Sequence, residues 1–266
     1  MQEHIDQTGK KIIMHKNPER IISLVPSQTE LLFDLGLEAQ VIGITKFCIH
    51  PTHWKEAKII VGGTKNIHLS KIESLHPDLV IANKEENVKD QVESLEKIAP
   101  VWVSDINTLE EALWMIQSIG SITGTAAKAS VIAQSIQENF EKLKPLSKPL
   151  RAAYLIWRQP YMAAGGATFI NAMLKRCGLD NVFSKQQRYP VVTATDLQAA
   201  DCQVILLSSE PYPFKEKHIR ELQELLPQTH ILLVDGEPFS WYGSRLLYAA
   251  AYFQSLLQQL TVHNFS

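Results

Sequence analysis

The chain has 266 residues, 45% of them hydrophobic and 20% charged, with a formal net charge of -2. That length holds one large domain or two small ones, each with its own core. Near-neutral charge without a Lys/Arg run excludes an electrostatic footprint for nucleic acid or an acidic membrane surface, and no stretch reaches the roughly 18 apolar residues of a membrane span.

Residues 1–7 show neither a basic nor an apolar leader region, so no signal peptide is read there. The expectation is a soluble chain, cytoplasmic if the sequence is complete and exterior if a leader was removed. Cys48, Cys177 and Cys202 are widely spaced and form no C-x-x-C pair. A zinc ribbon or redox motif is thereby excluded, and the three read as buried small apolar residues.

In chain order, the first apolar run covers residues 20–25 and leads into a helix that carries Leu31, Leu32 and Leu35 and stops at Gly36. Ser27 before Glu30 predicts a capping box for that helix. Further buried strands are expected at 41–45, 79–82 and 101–104, with helices near 69–75, 88–97 and 108–119. Gly120 and Gly124 are expected to break the last of these. From 126 to 143 the chain then runs without Gly or Pro. Ile132, Ile136, Phe140 and Leu143 recur at helical spacing, and Pro145 and Pro149 end the run.

The same grammar restarts after residue 150, with strands at 152–157, 202–207 and 231–234. Helices are expected at 168–176, stopped by Gly178, at 216–226, and at 244–260. Strands alternating with helices predict an α/β fold: two α/β lobes with largely parallel sheets, joined by one long helix. The expected boundaries are an N-terminal lobe over 1–124, a linking helix over 125–148 and a C-terminal lobe over 149–266.

A weak repeat relates the halves. Ile72 to Ile81 precedes Glu85 as Leu197 to Leu206 precedes Glu210. Each glutamate follows the carboxyl end of a strand, where open α/β sheets bind ligands.

Signatures of catalysis are missing: no G-x-S-x-G, G-x-x-x-x-G-K-[ST], H-E-x-x-H or G-x-G-x-x-G occurs. No catalytic residue and no resident metal is expected. His50 and His53 supply only two donors beside Trp54, too few for a metal site. Polar-aromatic clusters follow strand ends instead, at 83–87, 157–162, 187–190, 208–214 and 235–245. Aromatic faces with a few arginines suit a large, planar, partly polar ligand.

The segment Arg20-Ile21-Ile22-Ser23-Leu24-Val25-Pro26-Ser27-Gln28-Thr29-Glu30-Leu31, the Val61-Gly62-Gly63-Thr64 turn, Leu75-His76-Pro77-Asp78-Leu79-Val80-Ile81 and the linking helix together resemble a known family. It is that of the substrate-binding proteins of metal-chelate ABC importers, helical-backbone receptors for cobalamin, ferric siderophores and haem. Within it the chain looks most like the cobalamin-binding branch. The resemblance implies a ligand cleft between two lobes that bend little, delivery of a corrinoid to an ABC permease, no required cofactor and a monomer. The expected ligand contacts are Phe47, His50, Trp54, Thr64 and Glu85 from the first half. From the second half they are Trp157, Arg158, Tyr189, Glu210, Tyr212, Trp241, Tyr242 and Arg245. At the two positions where the family's cobalamin receptor carries acids for permease docking, this chain has Ser70 and about Ser240, with Glu73 and Glu237 nearby. The alternatives are a receptor for a ferric siderophore or haem and, in another class, a cytoplasmic tetrapyrrole-handling enzyme or metallochaperone.

Overall fold

A run of apolar residues can bury both faces only inside a sheet covered on each side. Leu79–Asn83 and Val204–Ser208 do so, with all five residues of each strand buried. In the computed structural model, residues 2–262 are described; Met1 and residues 263–266, the outer ends of the two expected lobes, lie outside them. The described residues form two units. Of these, the first comprises 2–106, Glu110–Glu138 and Trp241–Leu247, and the second Asn107–Leu109, Asn139–Ser240 and 248–262.

The first unit opens with a hairpin of β1 (Gln2–Ile5) and β2 (Lys11–Met14). Its turn is built on the buried Asp6 carboxylate, which accepts the Thr8 and Lys10 amides, each at 2.9 Å. Then follow β3 (Ile21–Ser23), α1 (Pro26–Asp34), β4 (Val41–Ile44), α2 (Trp54–Ala57), β5 (Ile59–Ile60), α3 (Leu69–Ser74), β6 (Leu79–Asn83), α4 (Lys89–Leu95), β7 (Val101–Ser104), α5 (Leu109–Ile122) and α6 (Ala126–Glu141). The sheet order is β5-β4-β3-β6-β7 and every pairing is parallel. From β3 the chain moves first to one side and then returns to the other, so a switch point lies between β3 and β6.

In the second unit come β8 (Leu150–Trp157), β9 (Tyr161–Ala163), α7 (Phe169–Arg176), β10 (Leu179–Asn181), β11 (Val191–Val192), α8 (Ala194–Ala199), β12 (Val204–Ser208), α9 (Glu216–Leu225), β13 (His230–Val234), α10 (Glu237–Ser240) and α11 (Leu246–Val262). The order is β11-β9-β8-β12-β13, with β10 also on β8. Strands β8, β10, β12 and β13 pair in parallel, whereas β9 pairs antiparallel with both β8 and β11, so β9 is the reversed strand of this sheet. The switch point here lies between β8 and β12, as between β3 and β6.

The repeat seen in sequence extends to a joint at the amino ends of these strands. In the first unit Arg20 donates from Nε and Nη2 to the Leu75 carbonyl, at 2.9 and 2.6 Å. In the second, Arg151 donates to the Asp201 and Ala200 carbonyls at 3.1 and 2.5 Å. Each arginine thus satisfies carbonyls just past the end of a helix, where no intrahelical donor remains. The residue at the corner is left-handed in both, His76 with φ 44° and Asp201 with φ 52°. Two residues on, Asp78 Oδ1 accepts the Arg20 amide and Gln203 Oε1 the Arg151 amide, each at 3.0 Å.

Two expectations need correction. Helix α1 has no capping box: its N-cap is Val25, no side chain caps it, and Pro26 begins it. Gly120 does not break α5, which runs through it to Ile122. Instead it lets α5 and α6 touch, since a Cβ there would stand 2.2 Å from the Ala129 Cβ. Helix α6 belongs to the first unit through Glu138 and to the second from Asn139. On it Ile136 and Phe140 are buried.

Replacing Gly120 by Ala sets helix propensity, a gain of about 1 kcal/mol, against overpacking, a loss of roughly 1–3 kcal/mol. Gly120→Ala is expected to lower the thermal midpoint, and adding Ala129→Gly to restore most of it. A rise in the midpoint for the single variant would contradict the close α5–α6 contact.

Candidate functional site

The carboxyl ends of the first unit's strands are tied together by buried polar side chains. Asn83, at the end of β6, accepts the amides of Glu85 and Glu86 at 2.8 and 2.9 Å, which turns the chain sharply after the strand. Its own Nδ2 donates to Ser104 Oγ at 2.9 Å, and Gln28 Nε2 donates to the same hydroxyl at 2.5 Å. Asn87 Nδ2 reaches the Thr64 carbonyl at 3.0 Å. Thr64 is therefore buried, with its carbonyl serving as a strut. Glu85 is half-buried, and Lys65 holds its backbone carbonyl at 2.5 Å.

The loop after β4 carries Phe47, 51% exposed, with the Lys46 ammonium 5.1 Å from its ring centroid. In the same loop His50 meets the edge of Trp241, ring centroids 5.4 Å apart. Trp54 turns inward. It is 0% exposed, packs edge-on against Phe33 and donates its indole N–H to Glu38 at 3.2 Å, so it supports the loop and presents no surface. His53 faces the same Glu38 oxygen at 3.2 Å, away from the His50–Trp241 pair.

Trp241–Leu247 lies in this first unit, and one ion pair explains how. Arg245 donates from Nε to Glu30 Oε2 at 3.0 Å and from Nη2 to Oε1 at 2.5 Å. The bidentate fork fixes both position and angle. It leaves the guanidinium 5.5 Å from the Trp241 ring centroid. Beside it Gly243 sits against α1, where a Cβ would stand 2.4 Å from the Ser27 carbonyl oxygen. Trp241 and Tyr242 are both buried, at 6% and 5% exposure. Burial pushes the Glu30 carboxyl above the ordinary carboxylate range, against the opposing pull of Arg245 and His50.

In the second unit Trp157 ends β8 with 41% of its surface exposed and stands edge-on to Tyr212, ring centroids 5.7 Å apart. Arg158 donates to Glu221 at 2.6 Å. Glu210 follows β12 by two residues, as Glu85 follows β6, and Ser240 donates to its Oε1 at 2.6 Å. The turn leading to it is held by Ser208 Oγ, the counterpart of Asn83, 2.5 Å from the Glu210 carbonyl oxygen. Tyr189 is half-buried in the loop before β11. Of the two positions expected to correspond to docking acids, Ser70 is exposed on α3, while the Ser240 hydroxyl is committed to Glu210.

Of the expected residues, Glu85, Trp157 and Glu210 stand at or just past strand carboxyl ends, while Tyr189 precedes β11 and Trp241, Tyr242 and Arg245 follow α10. The partners that set their chemistry, Glu30, Glu38, Glu221 and His218, were not among the expected contacts. Cys48, Cys177 and Cys202 are buried and free, as read from the sequence. Burial pushes the Cys177 thiol up to about 12 and the Cys202 thiol to about 11, so neither supplies thiolate at neutral pH.

A carboxyl whose folded-state pKa is raised holds its proton longer in the folded than in the unfolded chain, so stability falls as pH rises through that window. The stability of the natural chain relative to Glu30→Gln is expected to improve as pH is lowered from neutrality into the carboxylate range. Denaturant unfolding at several pH values checks this; the opposite slope would mean that attraction to Arg245 outweighs burial.

Comparison with known proteins follows the same lines. A vitamin B12-binding protein of Pectobacterium carotovorum is 26% identical over 251 residues, covering 92% of this chain and 89% of its own. The periplasmic haem-binding protein HutB of Vibrio cholerae superposes with a TM-score of 0.77 at 21% identity, covering 90% of this chain and 98% of its own. The periplasmic catecholate-siderophore binding protein VctP of Vibrio cholerae gives 0.78 at 14% identity, over 96% and 99%. Those two likenesses establish the fold. The model of the periplasmic binding protein family matches residues 21–230. Its members bind rather than transform their ligands, and this chain belongs to the periplasmic binding protein family.

Proposed function

We propose that this chain is the substrate-binding component of an ABC-type importer and that its ligand is a neutral corrinoid of the vitamin B12 class. The observation that carries the ligand assignment is the state of the two arginines expected to meet it. Arg245 is held bidentately by Glu30 and Arg158 is paired with Glu221. An anionic chelate would have to compete with those carboxylates, whereas a neutral, amide-bearing ligand meets pairs already neutralised. Half-exposed Phe47 in the first unit and half-exposed Trp157 in the second are each a flat apolar face of the kind a corrin ring packs on. The name of the Pectobacterium relative agrees with this choice.

The family name places such proteins outside the cytoplasmic membrane, and no helix among the described residues is long and apolar enough to cross one. Delivery to a permease is supported by the relatives, one of which is an uncharacterized ABC transporter substrate-binding lipoprotein of Bacillus subtilis. Docking here would use contacts other than an acid at Ser70 or Ser240. A haem or ferric-siderophore receptor is the second reading, favoured by the exposed Lys46 over Phe47.

Calorimetric titration with cyanocobalamin, hemin and a ferric tricatecholate separates these. Cyanocobalamin is expected to bind with Kd of about 1 μM or tighter, and Trp157→Ala to weaken it about tenfold, some 1.4 kcal/mol. Replacing Arg158 and Arg245 together by Gln should weaken cyanocobalamin binding only modestly. Binding of hemin or the tricatecholate but not cyanocobalamin, lost in that double variant, would sink the corrinoid assignment.

A further inference from the structure

His218 is fully buried on the first turn of α9, and the proposed function gives it no role. Its two ring nitrogens have different neighbours. The backbone N–H of Lys215 donates to Nδ1 at 2.8 Å. An amide can only donate, so Nδ1 carries a lone pair and the neutral imidazole keeps its proton on Nε2. Nε2 lies 3.3 Å from Tyr212 Oη, so the tyrosine oxygen accepts from the histidine. The Arg158 guanidinium, another pure donor, lies against the same hydroxyl.

The hydroxyl hydrogen of Tyr212 is thereby turned away from both groups. Among the described residues the hydrogen-bond partner found for that hydroxyl is His218. The ring itself is wedged edge-on against Trp157 and Phe214, at 5.7 and 4.8 Å between centroids, so it cannot swing freely.

We propose that Tyr212 is a dedicated hydrogen-bond donor toward the ligand, a specificity-determining residue for an acceptor such as an amide carbonyl oxygen, and that His218 is the positioning residue that imposes this polarity. The inference rests on the corrinoid reading for its ligand, whose side-chain amides supply such oxygens, but not for its proton assignment. Burial, Arg158, Lys217 and Lys215 all hold His218 toward its neutral form, against Glu221. Beside Tyr212, exposed Trp157 contributes a flat face, so the pair would read the rim of a planar ligand that carries amides.

The test has two arms. In ligand-free protein labelled with 15N-histidine, NMR at neutral pH should report His218 as the Nε2–H tautomer; an Nδ1–H tautomer or an imidazolium overturns the proposal. In titrations with cyanocobalamin, Tyr212→Phe should weaken binding roughly two- to tenfold. His218→Glu, which offers Tyr212 an acceptor and so consumes its hydrogen, should lose as much, and should add nothing in the Tyr212→Phe background. His218→Gln can accept from Lys215 and donate to Tyr212, and should bind more tightly than His218→Glu. Equal affinities for the natural chain and Tyr212→Phe overturn the donor role. Failure of the natural chain to bind cyanocobalamin, with the Nε2–H tautomer present, overturns the corrinoid reading while supporting the proton assignment.

Discussion

The pair formed by Glu30 and Arg245 joins residues 215 positions apart in sequence and places several of the first unit's candidate contacts. It is a costly contact, since two charges leave water to make it, and such pairs contribute more to geometry than to stability. The raised pKa of Glu30 says the same in another way, with burial outweighing the attraction of the guanidinium. What the chain gains is placement. The fork pins the segment Trp241–Leu247 to α1, sets a cation over the Trp241 ring and brings that ring against His50. It also removes Arg245 from the groups ready to meet an anion. In the second unit Arg158 is likewise engaged by a carboxylate, through a single contact to Glu221, and the proposed preference for an uncharged ligand rests on these two pairs.

Beneath these differences the two units share one construction. Arg20 and Arg151 close a helix onto the strand that follows it, through the same pair of carbonyl contacts and the same left-handed corner. The strand so positioned, β6 or β12, is buried along its whole length. It ends in a side chain that folds the next turn back on itself, Asn83 in one unit and Ser208 in the other. Glutamates at Glu85 and Glu210 come two residues later. Candidate contacts thus sit on rigid strand ends held from both sides, which suits a receptor that recognises a preformed shape.

How much of this was legible in the sequence depends on the range of the forces involved. The buried strands and longer helices were readable because apolar runs and helical periodicity are local signals, and the Ile72–Glu85 and Leu197–Glu210 repeat exposed the shared unit. The hairpin of β1 and β2 was missed although its buried Asp6 and Gly9 form a local turn signal that could have been weighed. Strands β5, β10 and β11 have two or three residues each and leave no period to detect. For the candidate contacts, residue types could be read but their partners were invisible. Glu30 reads locally as a helix cap, and nothing near it points to Arg245. Trp54 reads as a ligand face, yet Glu38 and Phe33 draw it into the core. His218 carried no signal, because its importance lies in which nitrogen faces Lys215.

On the proposed reading, neutralised arginines and exposed aromatic faces select an uncharged chelate. Competition measured by native mass spectrometry tests it most directly, with the protein presented to equimolar cyanocobalamin, hemin and a ferric tricatecholate. A site of the kind described retains cyanocobalamin in preference to both others, and the preference persists as ionic strength is raised. Retention of an anionic chelate, weakening as salt screens its charge, would contradict it.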